Sequence, residues 1–137
     1  MALLNNEIKA HLTAARAYGD LSYAKRLKVG ALLVRDGRSL LNGRNGTPAG
    51  SSNICEDDNG NTLPEVLHAE ANVILYAAKH GVSTDGATLV TTDSPCYSCA
   101  LMIIGAGITK VYYGKEYRDT KPLEFLNEYD VITERIT

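Results

Sequence analysis

The sequence predicts an α/β layered domain with a central, largely parallel sheet. Stretches with helical spacing alternate along the chain with short apolar stretches rich in β-branched residues, which is the pattern of helices packed on a sheet. The 137 residues are enough for one domain, 1–137, and too few for two ordinary ones. Hydrophobic residues make up 45% of the chain, so a substantial core can form.

The predicted elements follow one another with short breaks. Apolar positions at helical spacing predict a first helix from about residue 3 to 21. Residues 29–34 and 39–41 predict two strands joined by Asp36-Gly37, a strong hairpin-turn signal. Later stretches predict a helix from the Thr62-x-x-Glu65 capping box to His80, a strand over 87–92, a helix from about 96 to 105, a strand over 108–113, a helix over 122–129 and a last strand over 131–133.

Charge and cysteine content exclude several classes of protein. The net charge of −2 and the pI near 5.9 lack the basic excess of proteins that grip long nucleic acids. Three cysteines give no disulfide framework, which suits a reducing cytoplasm. The N-terminal residues do not form a secretory signal, and no apolar stretch is long enough to cross a membrane. We therefore expect a cytoplasmic protein, in the host cytoplasm if the source is viral.

Two short stretches carry the residues best suited to catalysis: His68-Ala69-Glu70 and Pro95-Cys96-Tyr97-Ser98-Cys99. The two-residue gap in the second stretch lets both thiolates reach one zinc ion, and His68 supplies a nitrogen ligand from elsewhere in the chain. No fourth protein ligand is obvious, which is typical of a catalytic zinc that keeps a water. Glu70 can act on that water as an acid and base without binding the metal. The pattern predicts metal-assisted hydrolysis.

Other interpretations of the cysteine pair are weaker. A Cys-x-x-Cys motif by itself also occurs in redox pairs and as half of a zinc ribbon. This chain has no second Cys-x-x-Cys motif to complete a ribbon. The combination of His-x-Glu with Pro-Cys-x-x-Cys is the signature of zinc-dependent nucleobase deaminases.

A helix that starts at the capping box conflicts with this site. Residues i and i+2 lie on different faces of a regular helix, so His68 and Glu70 could not both face one metal from its middle. The chemistry is easier if the regular helix begins nearer His68, where side chains project around the first turn. The sequence leaves the two starts open.

Basic and irregular stretches offer groups for a nucleotide. The cluster from Lys25 to Lys28 is either a solvated charge run or a source of phosphate contacts through Arg26 or Lys28. Residues 42–63 form the least regular part of the chain. A loop of this length either binds something or is disordered, and we favour binding because its polar side chains and glycine amides suit ribose hydroxyls and phosphates.

On these motifs the chain resembles the cytidine deaminase superfamily, and most closely the single-domain deoxycytidylate (dCMP) deaminases of the phage type. The resemblance covers nearly the whole chain. The zinc motifs are shared with tRNA and polynucleotide deaminases, whereas the Asn-Gly-Thr-Pro stretch and its long loop narrow the choice. Outside the zinc motifs, the resemblance rests on residues 28–31, 43–48 and 107–111.

The resemblance implies a three-layer α/β/α fold with a five-stranded mixed, largely parallel sheet. It implies hydrolysis of dCMP to dUMP and ammonia in pyrimidine deoxynucleotide metabolism. It also implies a homo-oligomer, often a hexamer, that dCTP activates and dTTP inhibits. One Zn²⁺ per subunit would be held by His68, Cys96 and Cys99, with Glu70 as the proton carrier. Mg²⁺ would accompany the allosteric nucleotide.

The same resemblance assigns nucleotide contacts to the first half of the chain. Asn45 would contact the sugar of the substrate, and Arg26 and Lys28 are the candidates for its phosphate. The allosteric nucleotide would bind at or beside the long loop, at Asn42, Gly43, Arg44, Asn45, Gly46, Gly50 and Glu56. No second, structural zinc is expected, and Cys55 is expected to be a buried or loop thiol.

Two other functions are compatible with the sequence. One is a deaminase for another cytosine substrate, such as dCTP, cytidine or a polynucleotide, although the acidic pI argues against long nucleic acids. The other is a catalytically silent nucleotide-binding zinc protein. The intact Glu70 argues against this second function.

Overall fold

A five-stranded sheet with helices on both faces forms the centre of the molecule. The computed structural model describes residues 5–117 and 119–136. The elements along the chain are α1 (Asn5–Gly19), β1 (Gly30–Arg35), β2 (Arg38–Arg44), α2 (Ala69–His80), β3 (Thr88–Asp93), α3 (Tyr97–Gly105), β4 (Lys110–Lys115), α4 (Lys121–Glu128) and β5 (Ile132–Arg135).

The sheet is mixed, as expected, with the strand order β2-β1-β3-β4-β5. Strand β1 pairs antiparallel with both β2 and β3, whereas β3, β4 and β5 pair in parallel. The parallel half follows from the strand–helix alternation of residues 88–135. The antiparallel half follows from the hairpin between β1 and β2, whose turn residues Asp36 and Gly37 both have positive φ angles, as a tight hairpin turn requires.

Alternation along the strands divides the core into two apolar layers. Leu32 and Val34 of β1 pack with Ile8, Leu12 and Ala15 of α1 on one face. Ala31 and Leu33 contribute to the larger cluster on the other face, which also contains residues of α2, α3 and α4. The period-two pattern of strands places successive side chains on opposite faces. The three-layer α/β/α arrangement is therefore confirmed.

Several element boundaries differ from those predicted. The capping-box interpretation is wrong, because α2 begins at Ala69, and residues before it form isolated bridges between Gly46 and Leu67 and between Glu56 and Thr62. Strand β2 continues to Arg44, beyond its predicted end. Residues 3 and 4 of the predicted first helix lie outside the described residues. Of the helices in the described part of the chain, none combines the length and apolarity needed to cross a membrane.

Helix α1 lies so close to β1 that only a glycine fits at their contact. A Cβ atom on Gly30 would overlap the carbonyl oxygen of Ala15 and lie 2.7 Å from the backbone nitrogen of Gly19. Gly105, at the exposed end of α3, has no atom within 4 Å of such a Cβ. The two glycines therefore form a matched pair for testing the packing.

We expect Gly30→Ala to lower the free energy of unfolding by about 2 kcal/mol, because backbone atoms of α1 and β1 must move apart. Gly105→Ala should leave it unchanged or raise it by up to about 1 kcal/mol, since alanine favours the helix. Urea unfolding followed by circular dichroism measures both. Equal stability of the two variants would contradict the close contact.

Candidate active site

Two helix N-termini meet at one end of the sheet and bring the predicted metal ligands together. His68 is the N-cap of α2, and Cys96 is the N-cap of α3; both have extended backbones, with φ and ψ of −72° and 158° and of −77° and 174°. Neither side chain caps its own helix. Both side chains can therefore point away from their helices and toward each other.

The donor atoms of His68, Cys96 and Cys99 form a compact group. The Nδ1 atom of His68 lies 3.3 Å from Cys96 Sγ and 3.4 Å from Cys99 Sγ. All three donor atoms lie within 4.8 Å of one another. Nitrogen and sulfur ligands of one tetrahedral zinc are separated by about 3.5 Å, given the usual Zn–N and Zn–S bond lengths. The residues present therefore fit a zinc ion.

Glu70 lies beside this group in the first turn of α2, with 4% of its surface exposed. The later start of the helix resolves the conflict in the sequence, because His68 precedes the regular helix and Glu70 lies within its first turn. Burial raises the pKa of the Glu70 carboxyl to about 7, although its own backbone N–H and the nearby His68 charge act in the opposite direction. A carboxyl with a pKa near neutrality can both accept and return a proton.

The two thiols differ in their ease of ionisation. Hydrogen bonds from Cys99 and His68 lower the pKa of Cys96 to about 4. Hydrogen bonding with Cys96, together with burial, raises the pKa of Cys99 above its usual range. Hydrogen bonding to Cys96 likewise raises the pKa of His68. Cys96 therefore loses its proton readily without a metal, and a bound metal cation would favour loss of the Cys99 proton as well.

A cavity of about 430 Å³ opens onto this group. Its lining includes His68, Glu70 and Cys96, together with Asp93, Tyr97 and Tyr117. This volume is within the usual range of small-molecule sites. The cavity can therefore hold a ligand of nucleotide size with one end against the donor group.

Asp93 and Tyr117 also line the cavity, although the sequence motifs did not point to them. Asp93 is the buried last residue of β3, and Tyr117 follows β4, its parallel neighbour. The backbone N–H of Tyr117 donates to Ser94 Oγ at 3.0 Å, which fixes this wall. Burial, reinforced by the negative charge of Asp93, raises the pKa of the Tyr117 hydroxyl. The carboxyl ends of parallel neighbours share one sheet edge, and that rule could have identified both residues.

Among the candidates for phosphate binding, the structure separates Arg26 from Lys28. Arg26 lines the cavity, and among the residues described it is the one Lys or Arg that does so. No carboxylate of the described residues lies within 4.0 Å of its guanidinium. The Nζ atom of Lys28 instead lies 3.4 Å from the carbonyl oxygen of Asp20, and Lys28 does not line the cavity.

Asn45 lines the cavity and also holds its wall together. Its Nδ2 donates to the Leu27 carbonyl at 2.7 Å, and its Oδ1 accepts from the Val29 N–H at 2.9 Å. Ser22 Oγ donates to the Asn45 carbonyl at 2.7 Å. An asparagine amide has two N–H donors and two acceptor positions, so each atom can still make one further hydrogen bond to a ligand.

The remaining candidates for effector binding are spread over β2 and the loop. Asn42, Gly43 and Arg44 belong to β2, and a Cβ on Gly43 would lie 2.7 Å from a methyl group of Val73. Gly46 exchanges backbone hydrogen bonds with Leu67, whereas Gly50 is exposed. Glu56 lines the cavity together with Asn45. Cys55 is buried, as expected.

Comparison with known proteins places the chain in a family. Residues 5–115 match the family described as the cytidine and deoxycytidylate deaminase zinc-binding region. The chain is 41% identical to ComE operon protein 2 of Bacillus subtilis over 80% of this chain, although the match spans only 57% of that protein. It is 36% identical to the deoxycytidylate deaminase of Mycobacterium phage D29, over 77% of this chain and 91% of the relative.

A solved structure agrees over almost the full length. The crystal structure of dCMP deaminase from the cyanophage S-TIM5, in complex with dCMP and dUMP, superimposes with a TM-score of 0.93 at 41% identity. The match covers 98% of this chain and 99% of that one. The chain therefore belongs to the cytidine and deoxycytidylate deaminase family of zinc-dependent hydrolases.

Proposed function

We propose that residues 1–137 form one catalytic domain that hydrolyses dCMP to dUMP and ammonia. The observation that supports this most directly is the polarity of the cavity. The buried carboxyl of Glu70 and two members of the His/Cys/Cys group, His68 and Cys96, line it together with Arg26. A cytosine base beside Glu70 and a phosphate at Arg26 would use both kinds of group. The relatives named deoxycytidylate deaminase support the same substrate.

The site residues divide the chemistry of hydrolytic deamination between them. A zinc ion held by His68, Cys96 and Cys99 would supply an activated water at neutral pH. Glu70 accepts a proton from the water that adds to C4 of cytosine. It delivers this proton to N3, then takes the second proton from the hydroxyl group now on C4 and passes it to the amine, so that the C–N bond breaks, ammonia leaves and a uracil ring remains. Burial keeps the pKa of Glu70 near the value that both transfers need.

Regulation is a further part of the proposal. The stretch from Asn42 to Glu56 would bind dCTP as activator or dTTP as inhibitor, with Mg²⁺ on the triphosphate, in a hexamer. Its connection to the cavity supports this, because Asn45 and Glu56 belong both to this stretch and to the cavity wall. An effector bound there would act directly on residues beside the substrate.

The assay that tests the proposal follows the ultraviolet band of cytosine when zinc-loaded protein is mixed with dCMP. We expect the band to disappear, faster with dCTP and magnesium present. Glu70→Gln should bind zinc normally and lower kcat by about a thousandfold, since the amide cannot carry the proton. Turnover of cytidine or dCTP without turnover of dCMP would contradict the assignment of dCMP as the substrate. A zinc-replete protein that is inert toward all three would contradict deaminase activity.

Zinc content tests the ligand group separately from activity. We expect Cys99→Ser to reduce bound zinc after dialysis to below about a tenth of one ion per chain, because serine is a poor ligand for zinc. Cys55→Ser, which changes the other buried thiol, should retain one ion. Elemental analysis of the two variants measures this. A fall in both would mean that Cys55 also binds metal.

Arg26→Gln should raise KM for dCMP by about tenfold or more, because a charge-assisted contact to phosphate is lost. KM for deoxycytidine, which has no phosphate, should change by no more than about twofold. Lys28→Gln is the matched control and should behave as wild type toward both. Steady-state kinetics with the two substrates provides the measurement. An equal rise in KM for deoxycytidine would show that Arg26 does not act through the phosphate.

A further inference from the structure

Glu56 connects the long loop to the segment that carries Arg26. Its Oε2 atom accepts the backbone N–H of Lys25 at 2.9 Å and that of Arg26 at 3.1 Å. The two donors belong to neighbouring residues, so a single carboxylate oxygen holds this corner of the backbone. The guanidinium of Arg26 itself forms no ion pair with a described carboxylate.

The turn that presents Glu56 is itself well braced. Leu63 N–H donates to the Cys55 carbonyl at 2.8 Å, and Asp57 N–H donates to the Asn61 carbonyl at 2.9 Å. Asp57 Oδ1 accepts the N–H groups of Asn59 and Asn61, both at 2.9 Å. The hydrogen bonds of the turn therefore fix the backbone that carries Glu56, and the N–H groups of Lys25 and Arg26 fix its carboxylate.

The catalytic cavity adjoins a second depression at this point. Arg26, Cys55 and Glu56 line both. Lys25, Asp57 and Asp58 also line the second depression. A nucleotide with its base at Glu70 and its first phosphate at Arg26 would extend any second phosphate into this depression, where Glu56, Asp57 and Asp58 outnumber the cations.

We propose that Glu56 restricts the substrate to a single phosphate. Its carboxylate positions the Arg26 segment for the first phosphate of the substrate, and its negative charge opposes a second phosphate that carries no Mg²⁺. This inference rests on the proposed function, since it assumes a nucleotide oriented with its base at Glu70. Repulsion between a carboxylate and a phosphate at such a partly exposed site is large enough to change selectivity by about tenfold.

Two variants separate the charge of Glu56 from its hydrogen bonds. Glu56→Gln removes the charge but keeps an oxygen that can accept the backbone N–H groups. The ratio of kcat/KM for dCMP to that for dCDP should fall about tenfold. Glu56→Ala also removes the acceptor, so KM for dCMP should rise about fivefold while deoxycytidine is unaffected.

Glu65→Gln is the matched control, because Glu65 is an exposed acid in the same connection between β2 and α2 and lines neither depression. Rates are measured without magnesium, so that phosphate charge is not masked. An unchanged ratio in Glu56→Gln, or the same change in Glu65→Gln, would overturn the proposal.

Titration calorimetry of dUMP and dUDP measures the same selectivity without turnover. If wild type fails to deaminate dCMP, the proposed function fails while the dUMP-to-dUDP affinity ratio still decides the role of Glu56.

Discussion

The meeting of two helix N-termini is the constraint on which the candidate site depends. His68 and Cys96 each occupy the last extended position before a helix, and their side chains approach to 3.3 Å. Successive residues of a helix are rotated by about 100°, so a shift of either start by one residue would turn Glu70 or Cys99 away from the group. The sheet, the connecting loop and the packing of α2 and α3 together fix these two starting points.

One wall of the cavity is held by polar side chains instead of regular secondary structure. Ser22, Asn45 and Glu56 make hydrogen bonds to backbone groups between residues 22 and 45. Side chains of this kind offer the backbone partners that a helix or a strand would otherwise supply. The polar composition of the long loop, which could equally describe a disordered linker, here serves to shape a binding site.

The chemistry of the site was predictable from the sequence because metal ligation restricts both residue type and spacing. That restriction selected His68, Cys96 and Cys99, and the same geometry favoured a late start of the helix after His68, although the sequence left two starts open. Asp93 and Tyr117 were not found, since their meeting depends on the parallel pairing of β3 with β4. The choice between Arg26 and Lys28 could not be made either. Irregular backbone has no period from which to infer which of two nearby side chains faces the cavity.

The burial of Glu70 has a consequence for the engineering of this protein. A carboxyl enclosed in a core loses its hydration, and a neutral or apolar residue of similar volume would be accommodated at lower cost. Burial of this carboxyl therefore costs stability at the position to which we assign proton transfer. Selection for heat resistance alone would tend to replace this residue first, so a search for more robust variants has to retain turnover as a second criterion.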